Sequence, residues 1–406
     1  MSEWKEVSLS ELGKTITGKT PSSQYPEDFG DEVPFITPSD SFEKKYISRS
    51  ERYLSRLGSD RLKDKIISSD SIMVTCIGSA MGKVAKNSLP SVTNQQINSI
   101  IVNENFDSDY IYYLFKNNYA VFRNAASGST AIPILNKTDF DNLRFKVELN
   151  LNEQRKMVSI LSTIDDKIEI NNQINQELEA MAKTLYDYWF VQFDFPDQNG
   201  KPYKSSGGKM VYNQELKREI PEGWGVENLF NVAEVQYGYP FSTDYFNSTG
   251  EGVPVIRIRD ILGNDTTNYS TEEVEDKYKI NVGDVLIGMD GNFHMNYWIK
   301  ENCYLNQRVV KVNSDKLPNM VLKYQIEPFI KLREKSVSRT TVGHLSDKDL
   351  KAINVILPKD KYLSSIFEKF ESILENIIIN QQQNQELTQL RDWLLPMLMN
   401  GQVKVE

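Results

Sequence analysis

The side chains in this sequence that could do specific chemistry are amides and guanidinium groups in predicted loops. The run Gly13–Thr20 has the Gly-x-x-x-x-Gly-Lys-Ser/Thr spacing, but no Gly-x-Gly-x-x-Gly turn opens a strand–helix unit. The sequence lacks an Asn/Asp-Pro-Pro-Tyr/Phe run, whereas Pro196-Asp197 followed by Glu215-Leu216-Lys217 has the order of a Pro-Asp…Glu-x-Lys pattern. With two histidines and two cysteines, it has no ligand cluster for zinc. Amides and guanidinium groups remain, and they can bond bidentately to base edges, Asn and Gln to adenine and Arg to guanine.

The candidate base-contacting residues lie in loops between predicted strands. In residues 1–150 they are Lys19, Thr20, Lys44, Lys45, Ser79, Lys83, Asn94, Gln95, Ser129 and Thr130. In residues 222–358 they are Tyr239, Arg257, Arg259, Asn292, His294, Arg308, Arg339 and Thr340. For each of them an ordinary surface or strand-capping role is the alternative interpretation.

The overall charge argues against nucleic-acid binding, because DNA-binding domains are usually basic. The formal net charge is −9 and the pI is about 5.1. One local run is nevertheless basic, and it contains Lys44, Lys45, Arg49, Arg52, Arg56, Arg61, Lys63 and Lys65. This run predicts phosphate contacts, with a solvated charged face as the alternative. The acidic total predicts that the chain alone binds DNA weakly and that basic partners add phosphate contacts.

The bulk composition is that of a globular protein with two or three domains. The chain has 406 residues, of which 39% are hydrophobic and 25% charged. No apolar run approaches the ~20 residues of a membrane span. The two cysteines, Cys76 and Cys303, lie far apart and are typical of reduced thiols. We therefore expect a cytoplasmic protein without a membrane segment.

The chain repeats itself, and the repeat predicts its elements. Val-Pro-Phe-Ile at residues 33–36 recurs 220 positions later as Val-Pro-Val-Ile, and Asn94-Gln95 recurs as Asn306-Gln307. Short β-branched runs predict strands, among them Val92–Val102 and Leu305–Val312, and Asp109–Ala126 predicts a helix. Each half is thus predicted to be a mixed α/β domain followed by a long helix.

The two long predicted helices carry apolar side chains at alternating spacings of four and three residues. Both stripes are interrupted by Asn at the same two heptad positions, 171 and 175 in the first helix and 380 and 384 in the second. Such a seam favours helix-to-helix pairing, and buried Asn fixes register at a cost in stability. We expect Asn171 and Asn175 to face Asn380 and Asn384 near the middle of an antiparallel pair. Asn150 with Glu153 predicts a capping box at the start of the first helix.

The first helix also carries a family resemblance. The stretch Leu149–Glu169, which contains Glu153-Gln154, continues to Leu185-Tyr-Asp-Tyr-Trp-Phe-Val-Gln-Phe-Asp194. It resembles the central conserved region of the specificity (S) subunits of type I restriction–modification systems. The order domain, helix, domain, helix is similar along the whole chain.

The resemblance implies an α+β fold, with two pseudo-repeated mixed α/β target-recognition domains separated by two long helices that form an antiparallel coiled coil. The expected segments are a first target-recognition domain (1–150), a first spacer helix (151–192), a linker (193–221), a second target-recognition domain (222–358) and a second spacer helix (359–400).

The resemblance also implies a non-catalytic subunit that reads a bipartite double-stranded DNA target, one half-site per domain. Its helices would dock two methylase (M) subunits and, through the complex, restriction (R) subunits. S-adenosylmethionine, ATP and Mg²⁺ would belong to those partners, and this chain would hold no cofactor or metal. Two alternatives are a self-contained DNA enzyme, which the missing Asn/Asp-Pro-Pro-Tyr/Phe and Gly-x-Gly-x-x-Gly motifs disfavour, and a coiled-coil scaffold with twin ligand-binding domains.

Overall fold

The computed structural model describes residues 3–78, 81–126, 133–336, 343–358 and 363–405. The chain forms two compact units, Met1–Ile168 with Glu386–Glu406, and Glu169–Gln385. Each unit contains one copy of the sequence repeat and part of each long helix. Among the helices in the described ranges, none has the length and apolar character needed to cross a bilayer.

The first unit is built from short strands and short helices. Its strands are β1 (Trp4–Ser8), β2 (Gly13–Thr17), β3 (Phe29–Gly30), β4 (Val33–Ile36), β5 (Tyr46–Ile47), β6 (Tyr53–Leu54), β7 (Ile66–Ile67), β8 (Ile72–Thr75), β9 (Val84–Asn87), β10 (Ser91–Thr93), β11 (Ile97–Val102) and β12 (Arg144–Glu148). Its helices are α1 (Leu9–Leu12), α2 (Arg56–Arg61), α3 (Ser108–Asn117), α4 (Tyr119–Asn124), α5 (Lys137–Asp141) and the start of the long helix α6 (Leu151–Tyr186).

The described part of the first unit contains two larger sheets that enclose apolar side chains. Their strand orders are β3–β6–β4–β10–β7 and β2–β11–β8–β9–β5, and β1 pairs with β12. Helix α3 belongs to the core, because residues 110–115 are all buried. Asp107 caps this helix, since its carboxylate accepts from the N–H groups of Asp109 and Tyr110 at 3.0 and 3.1 Å.

The second unit contains the remaining strands and helices. Its strands are β13 (Met210–Asn213), β14 (Arg218–Pro221), β15 (Gly225–Asn228), β16 (Glu234–Tyr237), β17 (Phe246–Asn247), β18 (Val253–Ile256), β19 (Tyr269–Ser270), β20 (Lys279–Ile280), β21 (Val285–Gly288), β22 (Met295–Tyr297), β23 (Cys303–Leu305), β24 (Val309–Asn313) and β25 (Asn354–Leu357). Its helices are α7 (Leu229–Val232), α8 (Asn319–Ser336), α9 (Asp347–Lys351) and most of the long helix α10 (Ser364–Met399), and a π-helical turn (Asp187–Val191) follows α6.

The strand topology of the first unit recurs in the second. The sheet orders are β17–β19–β18–β23–β20 and β16–β24–β21–β22, and β15 pairs with β25. The parallel pair β4–β10 has its counterpart in the parallel pair β18–β23. The predicted α+β class with two similar mixed domains is therefore confirmed.

Three predicted elements are each divided in two. The predicted strands Val92–Val102 and Leu305–Val312 are interrupted by turns at residues 94–96 and 306–308, which lead the chain from one sheet into the other. The predicted helix Asp109–Ala126 is α3 followed by α4, with the break at Asn118.

The two long helices run antiparallel within each unit. In the second unit Asn171 pairs with Asn384, and four residues later Asn175 pairs with Asn380, four residues earlier. In the first unit Asp165 of α6 binds Arg391 of α10 at 3.0 Å. The predicted antiparallel pairing is confirmed. Helical residues complete both cores, with Met157, Leu161, Leu395 and Leu398 in the first unit and Ile366, Phe370, Ile373 and Ile377 in the second.

The start of α6 differs from the predicted capping box. Asn150 Oδ1 accepts from the N–H groups of Asn152 and Glu153 at 3.0 and 3.4 Å. The Asn150 N–H, however, donates to Glu148 at 2.9 Å rather than to Glu153. Only the Asn half of the box forms, because a buried carboxylate two residues upstream satisfies the other donor.

The segment predicted as a linker, residues 193–221, contains the hairpin β13–β14. Phe193, Phe195 and Ile220 from this segment are buried in the core of the second unit. Its Gly, Pro and Ser content predicts irregular chain, but the burial of these large apolar side chains fixes it in place.

Candidate nucleic-acid interface

A three-residue turn, Asn94–Gln96, joins the two sheets of the first unit and holds the neighbouring loops. The Asn94 N–H donates to the carbonyl of Ile36 at the end of β4 (3.0 Å), and the Lys19 N–H donates to the carbonyl of Thr93 (2.8 Å). The Cys76 N–H, just after β8, donates to the carbonyl of Gln96 (2.7 Å). The ends of several strands therefore meet at one edge of this unit.

Side chains at this edge support the same arrangement. Thr20 Oγ1 donates to Gln95 Oε1 at 2.6 Å, and both residues are exposed. Residue 18 must be glycine, because a Cβ there would lie 2.2 Å from the Asn94 carbonyl oxygen. We call residues 18–20, 76–78, 81–83 and 94–96 the first rim. It brings together the predicted residues Lys19, Thr20, Lys83, Asn94 and Gln95.

The second unit builds an equivalent edge from different side chains. The Asn306 N–H donates to the carbonyl of Ile256 (3.1 Å), the Tyr239 N–H to that of Leu305 (2.9 Å), and the Met289 N–H to that of Arg308 (3.0 Å). We call residues 238–239, 289–294, 306–308 and 343–344 the second rim. The matching bonds place Tyr239 where the first rim has Lys19, and Arg308 where it has Gln96.

Arg308 belongs to a chain of three charged or polar side chains on the second rim. Its Nε lies 3.3 Å from Asp290 Oδ2, and Asp290 Oδ1 lies 2.7 Å from His344 Nδ1. Asp290 and His344 also form a backbone β-bridge. The Arg308 side chain remains 53% exposed. Its guanidinium is therefore both oriented and accessible to a ligand.

Tyr239 and the two arginines after β18 lie in different settings. Tyr239 Oη donates to Glu272 at 2.9 Å, and this hydrogen bond raises the pKa of the phenol. Arg257 and Arg259 lie 3.5 and 3.9 Å from the carboxylate of Asp260. Arg259 is the more exposed of the two, with 69% of its side chain accessible.

Two other predicted residues of the second unit, Asn292 and His294, lie on the second rim. Asn292 is exposed and His294 is half-buried, and both lie in the turn between β21 and β22. Several predicted residues of the two units lie outside the described residues, namely Ser79, Ser129, Thr130, Arg339 and Thr340.

Lys45, predicted to contact DNA, is instead a structural cation. Its Nζ lies 2.9 Å from Asp109 Oδ2 and donates to Ser162 Oγ at 3.1 Å, and only 12% of the side chain is exposed. Lys86, with 1% of its side chain exposed, also binds Asp109. Burial raises the pKa of the Asp109 carboxyl, but the hydrogen bonds from Lys86 and Lys45 outweigh burial and lower it. The structure therefore favours a structural role for Lys45, because its charge is already paired inside the unit.

Asn94 is also corrected. Its side chain closes the turn, since Nδ2 donates to Gln96 Oε1 at 3.0 Å and Oδ1 accepts from the Gln96 N–H at 3.1 Å. The residue is only 8% exposed. The neighbouring Gln95 is exposed and presents the accessible amide at this turn.

The basic run of residues 44–65 does not form one cationic face. Arg61 binds Asp28 at 2.5 Å, and the Arg52 guanidinium lies 4.0 Å from the centroid of the Phe29 ring. Much of the positive charge is therefore already paired with groups of the same unit.

Three basic residues of the first unit, one of them in the first rim, retain accessible surface. Lys44 and Arg49 are exposed, and Lys83 is half-buried. Lys83 lies 2.6 Å from the Glu43 carboxylate, and it lines a cavity of about 600 Å³ together with Arg49. The prediction of phosphate contacts rests on Lys44 and Arg49 more than on the run as a whole.

Sequence reasoning missed Asp290 and His344. The sequence repeat could have indicated that His344 lies in a loop next to a repeated segment, because it directly precedes Leu345, which matches Leu135. Its contact with Asp290, 54 residues earlier, depends on a β-bridge between two loops. No local pattern in the sequence indicates that bridge.

The four Asn residues of the helical seam lie together in the second unit. Asn171 Nδ2 donates to Asn384 Oδ1 at 2.8 Å, and Asn380 Nδ2 donates to Asn175 Oδ1 at 2.9 Å. Asn171 is fully buried and Asn175 is 6% exposed. If α10 shifted by one heptad along α6, Asn171 would lie opposite Ile377 instead of Asn384, and its amide would lose the hydrogen bond to Asn384.

The two cysteines are poor nucleophiles. Cys76 and Cys303 are free thiols in buried positions, and burial raises their pKa to about 12 and about 11. Within the described ranges, no three His, Cys, Asp or Glu side chains cluster as metal ligands would. The accessible chemistry of the two rims is hydrogen bonding by amide, hydroxyl and guanidinium groups.

The sequence matches the family model of the type I restriction modification DNA specificity domain over residues 1–180 and 221–389. These two regions include both repeats and both rims, and they cover most of the chain. The chain therefore belongs to the DNA specificity family of type I restriction–modification systems, as the resemblance of the first helix predicted.

Known relatives cover the whole chain. It is 28% identical to the type I restriction enzyme MjaIX specificity subunit of Methanocaldococcus jannaschii, across 100% of this chain and 94% of the relative. It is 22% identical to the HindI specificity subunit of Haemophilus influenzae, across 99% and 100%. The crystal structure of a type I S subunit from M. genitalium has the same fold, with a TM-score of 0.60 at 17% identity across 98% and 96% of the two chains.

Proposed function

We propose that this chain reads a bipartite double-stranded DNA target and that each unit contacts one half-site through its rim. The observation that carries the proposal is the duplicated rim. Equivalent backbone hydrogen bonds present Lys19 and Gln96 in one unit and Tyr239 and Arg308 in the other. The same backbone arrangement thus presents different side chains in the two units. This is suited to two ligands of the same class that differ in sequence, such as two DNA half-sites.

The chain is proposed to act without catalysis of its own and to dock two M subunits on its long helices, with R subunits joining through the complex. In the second unit, α6 exposes Ile170, Ile174 and Met181 at 50%, 42% and 46%. An apolar stripe of this kind on a helix is typical of a partner-binding surface. S-adenosylmethionine, ATP and Mg²⁺ are assigned to the partners, and the relatives' names as specificity subunits support this division of labour.

The test is to express the chain with its M subunits in cells that lack other adenine methylation and to map the methylated adenines. We expect one motif with two specific segments separated by a gap. Exchange of residues 1–150 for the matching domain of a relative should change one segment and leave the other intact. A change in both segments would show that the units do not read DNA independently.

The purified chain alone serves as the control. It should show no methyl transfer, DNA cleavage or ATP hydrolysis, and a chain that methylates DNA unaided would refute the assignment of catalysis to partners. A complex that assembles but neither binds nor modifies DNA would favour the coiled-coil scaffold instead.

A further inference from the structure

At the turn that joins the two sheets, the rims differ in charge at one structurally equivalent position, Gln96 in the first and Arg308 in the second. The N–H groups of Cys76 and Met289 donate to their carbonyls at 2.7 and 3.0 Å, respectively, which fixes the same backbone position in both units. In both rims the preceding residue is an exposed Gln. A side chain that differs on an otherwise matching turn is suited to distinguish two half-sites.

The surroundings of Arg308 determine which nitrogen atoms are accessible. Its contact with Asp290 runs through Nε at 3.3 Å. Because this contact runs through Nε and 53% of the side chain is exposed, the terminal nitrogens Nη1 and Nη2 are the part of the guanidinium that a ligand can reach. The planar pair of terminal nitrogens matches the two acceptors, O6 and N7, that guanine presents in the major groove.

Asp290 is itself held in place. His344 Nδ1 lies 2.7 Å from one carboxylate oxygen, and the backbones of the two residues are bridged. The Gly291 N–H also donates to the Gly343 carbonyl at 2.9 Å. A long side chain that is already oriented loses less conformational entropy on binding than one that rotates freely. Asp290 and His344 therefore act on the ligand through Arg308.

We propose that Arg308 reads a guanine in the half-site contacted by the second unit, with Asp290 and His344 as positioning residues. The inference rests on the proposed function, and it goes further by assigning one base to one side chain. It predicts that the contribution of these three residues appears as base preference at a single position of the target.

The experiment uses the full chain assembled with its M subunits, with methylated-motif mapping and competition binding as readouts. The half-site that survives exchange of residues 1–150 should contain a guanine. Arg308→Gln should lower discrimination at that guanine by roughly 5- to 150-fold, which is the range for loss of one bidentate pair. The other half-site should be unchanged.

Conservative variants separate positioning from folding. Arg308→Lys keeps the charge but loses the planar fork, so overall affinity should stay near that of the wild type while guanine preference falls. Asp290→Asn and His344→Gln should lower guanine preference by a smaller factor, and Asp290→Glu should restore part of it. Lys335→Gln removes one exposed positive charge from the same unit and should leave the motif unchanged.

The outcomes distinguish this inference from the proposed function. Full guanine preference in Arg308→Gln, or a surviving half-site without guanine, overturns the assignment to Arg308 while the bipartite reading stands. If exchange of residues 1–150 alters both half-sites, or if the wild-type complex modifies no motif, the proposed function fails and the inference with it. If Arg308→Gln does not assemble, unchanged guanine preference in Arg308→Lys overturns the assignment.

Discussion

The buried amide layer of the second unit predicts a measurable coupling between Asn171 and Asn384. Asn171 Nδ2 donates at 2.8 Å to Asn384 Oδ1 and to Gln383 Oε1, and Asn384 Nδ2 donates to Asn172 Oδ1 at 2.9 Å. In Asn171→Leu, Asn384 Oδ1 would lose its donor and face an apolar side chain. Asn384→Leu would remove one of the two acceptors of the Asn171 amide, which keeps Gln383. One unsatisfied buried polar group costs about 1–3 kcal/mol.

Replacing both residues removes this penalty, because leucine would pack against leucine in a seam that already contains Ile and Leu. Full burial of a leucine side chain contributes about 1.5–3 kcal/mol. We expect the free energy of unfolding of the paired variant to exceed the value predicted by adding the two single effects by about 1–3 kcal/mol. Asn171→Leu with Asn175→Leu, by contrast, removes the bonds of Asn384 and Asn380 to Asn171 and Asn175 and should be less stable than the wild type.

The assay is urea titration of the four proteins of this cycle, followed by far-ultraviolet circular dichroism and by tryptophan fluorescence. Coincident transitions of the two signals are required before the free energies are compared. Asn376→Leu is the matched control, because it makes the same exchange at an exposed position of α10 and should change stability by about 0.5 kcal/mol or less. Strictly additive single and paired effects would show that water satisfies these amides and would refute the argument.

Two further predictions concern charge and spacing. Lys45→Ala should lower the free energy of unfolding by about 1–3 kcal/mol, because Asp109 loses one of its two lysine partners. Lys44→Ala should leave stability unchanged and weaken binding of the assembled complex to all DNA sequences alike, with a flatter salt dependence. Denaturation and DNA-binding titrations test both variants. A loss of stability in Lys44→Ala, with unchanged stability and weaker DNA binding in Lys45→Ala, would contradict both predictions. One heptad inserted in each long helix adds ~10 Å, or roughly 3 bp of duplex, so the methylated motif should keep both half-sites and widen its gap. An unchanged gap would show that the helices do not set the spacing.

The repeat made the fold predictable, because it preserves backbone geometry. The two Val-Pro segments form β4 and β18, each in a parallel pair, and each is followed by an aspartate that closes the next turn. Asp40 accepts from the Thr37 N–H at 2.7 Å, and Asp260 accepts from the Arg257 N–H at 3.0 Å. A short polar side chain at this offset is needed for the turn in both units, and this need is visible in the sequence.

Individual site residues were less predictable, because adjacent side chains can lie in opposite environments. Lys44 is exposed, whereas Lys45 is directed to Asp109 and Ser162, 64 and 117 residues away. Asn94 closes a turn, whereas Gln95 beside it is exposed. A run of charged or amide residues in the sequence indicates a polar surface. Which of these side chains is paired and buried, however, depends on residues that are distant in the chain.

The junction between the first domain and α6 explains why exchange of that whole domain should be tolerated. Gln154, at the start of α6, is fully buried, and its amide donates to the Glu148 carbonyl (2.6 Å) and accepts from the Asp107 N–H (2.7 Å). Inside the second domain, the amide of Gln325 on α8 makes the same kind of contact with β25, since it donates to the Ile356 carbonyl (3.0 Å) and accepts from the Ile356 N–H (2.6 Å). Both glutamines bind only backbone groups of the segments that they hold. A replacement for residues 1–150 can therefore carry different side chains and still re-form this contact, provided that its last strand keeps the same backbone path.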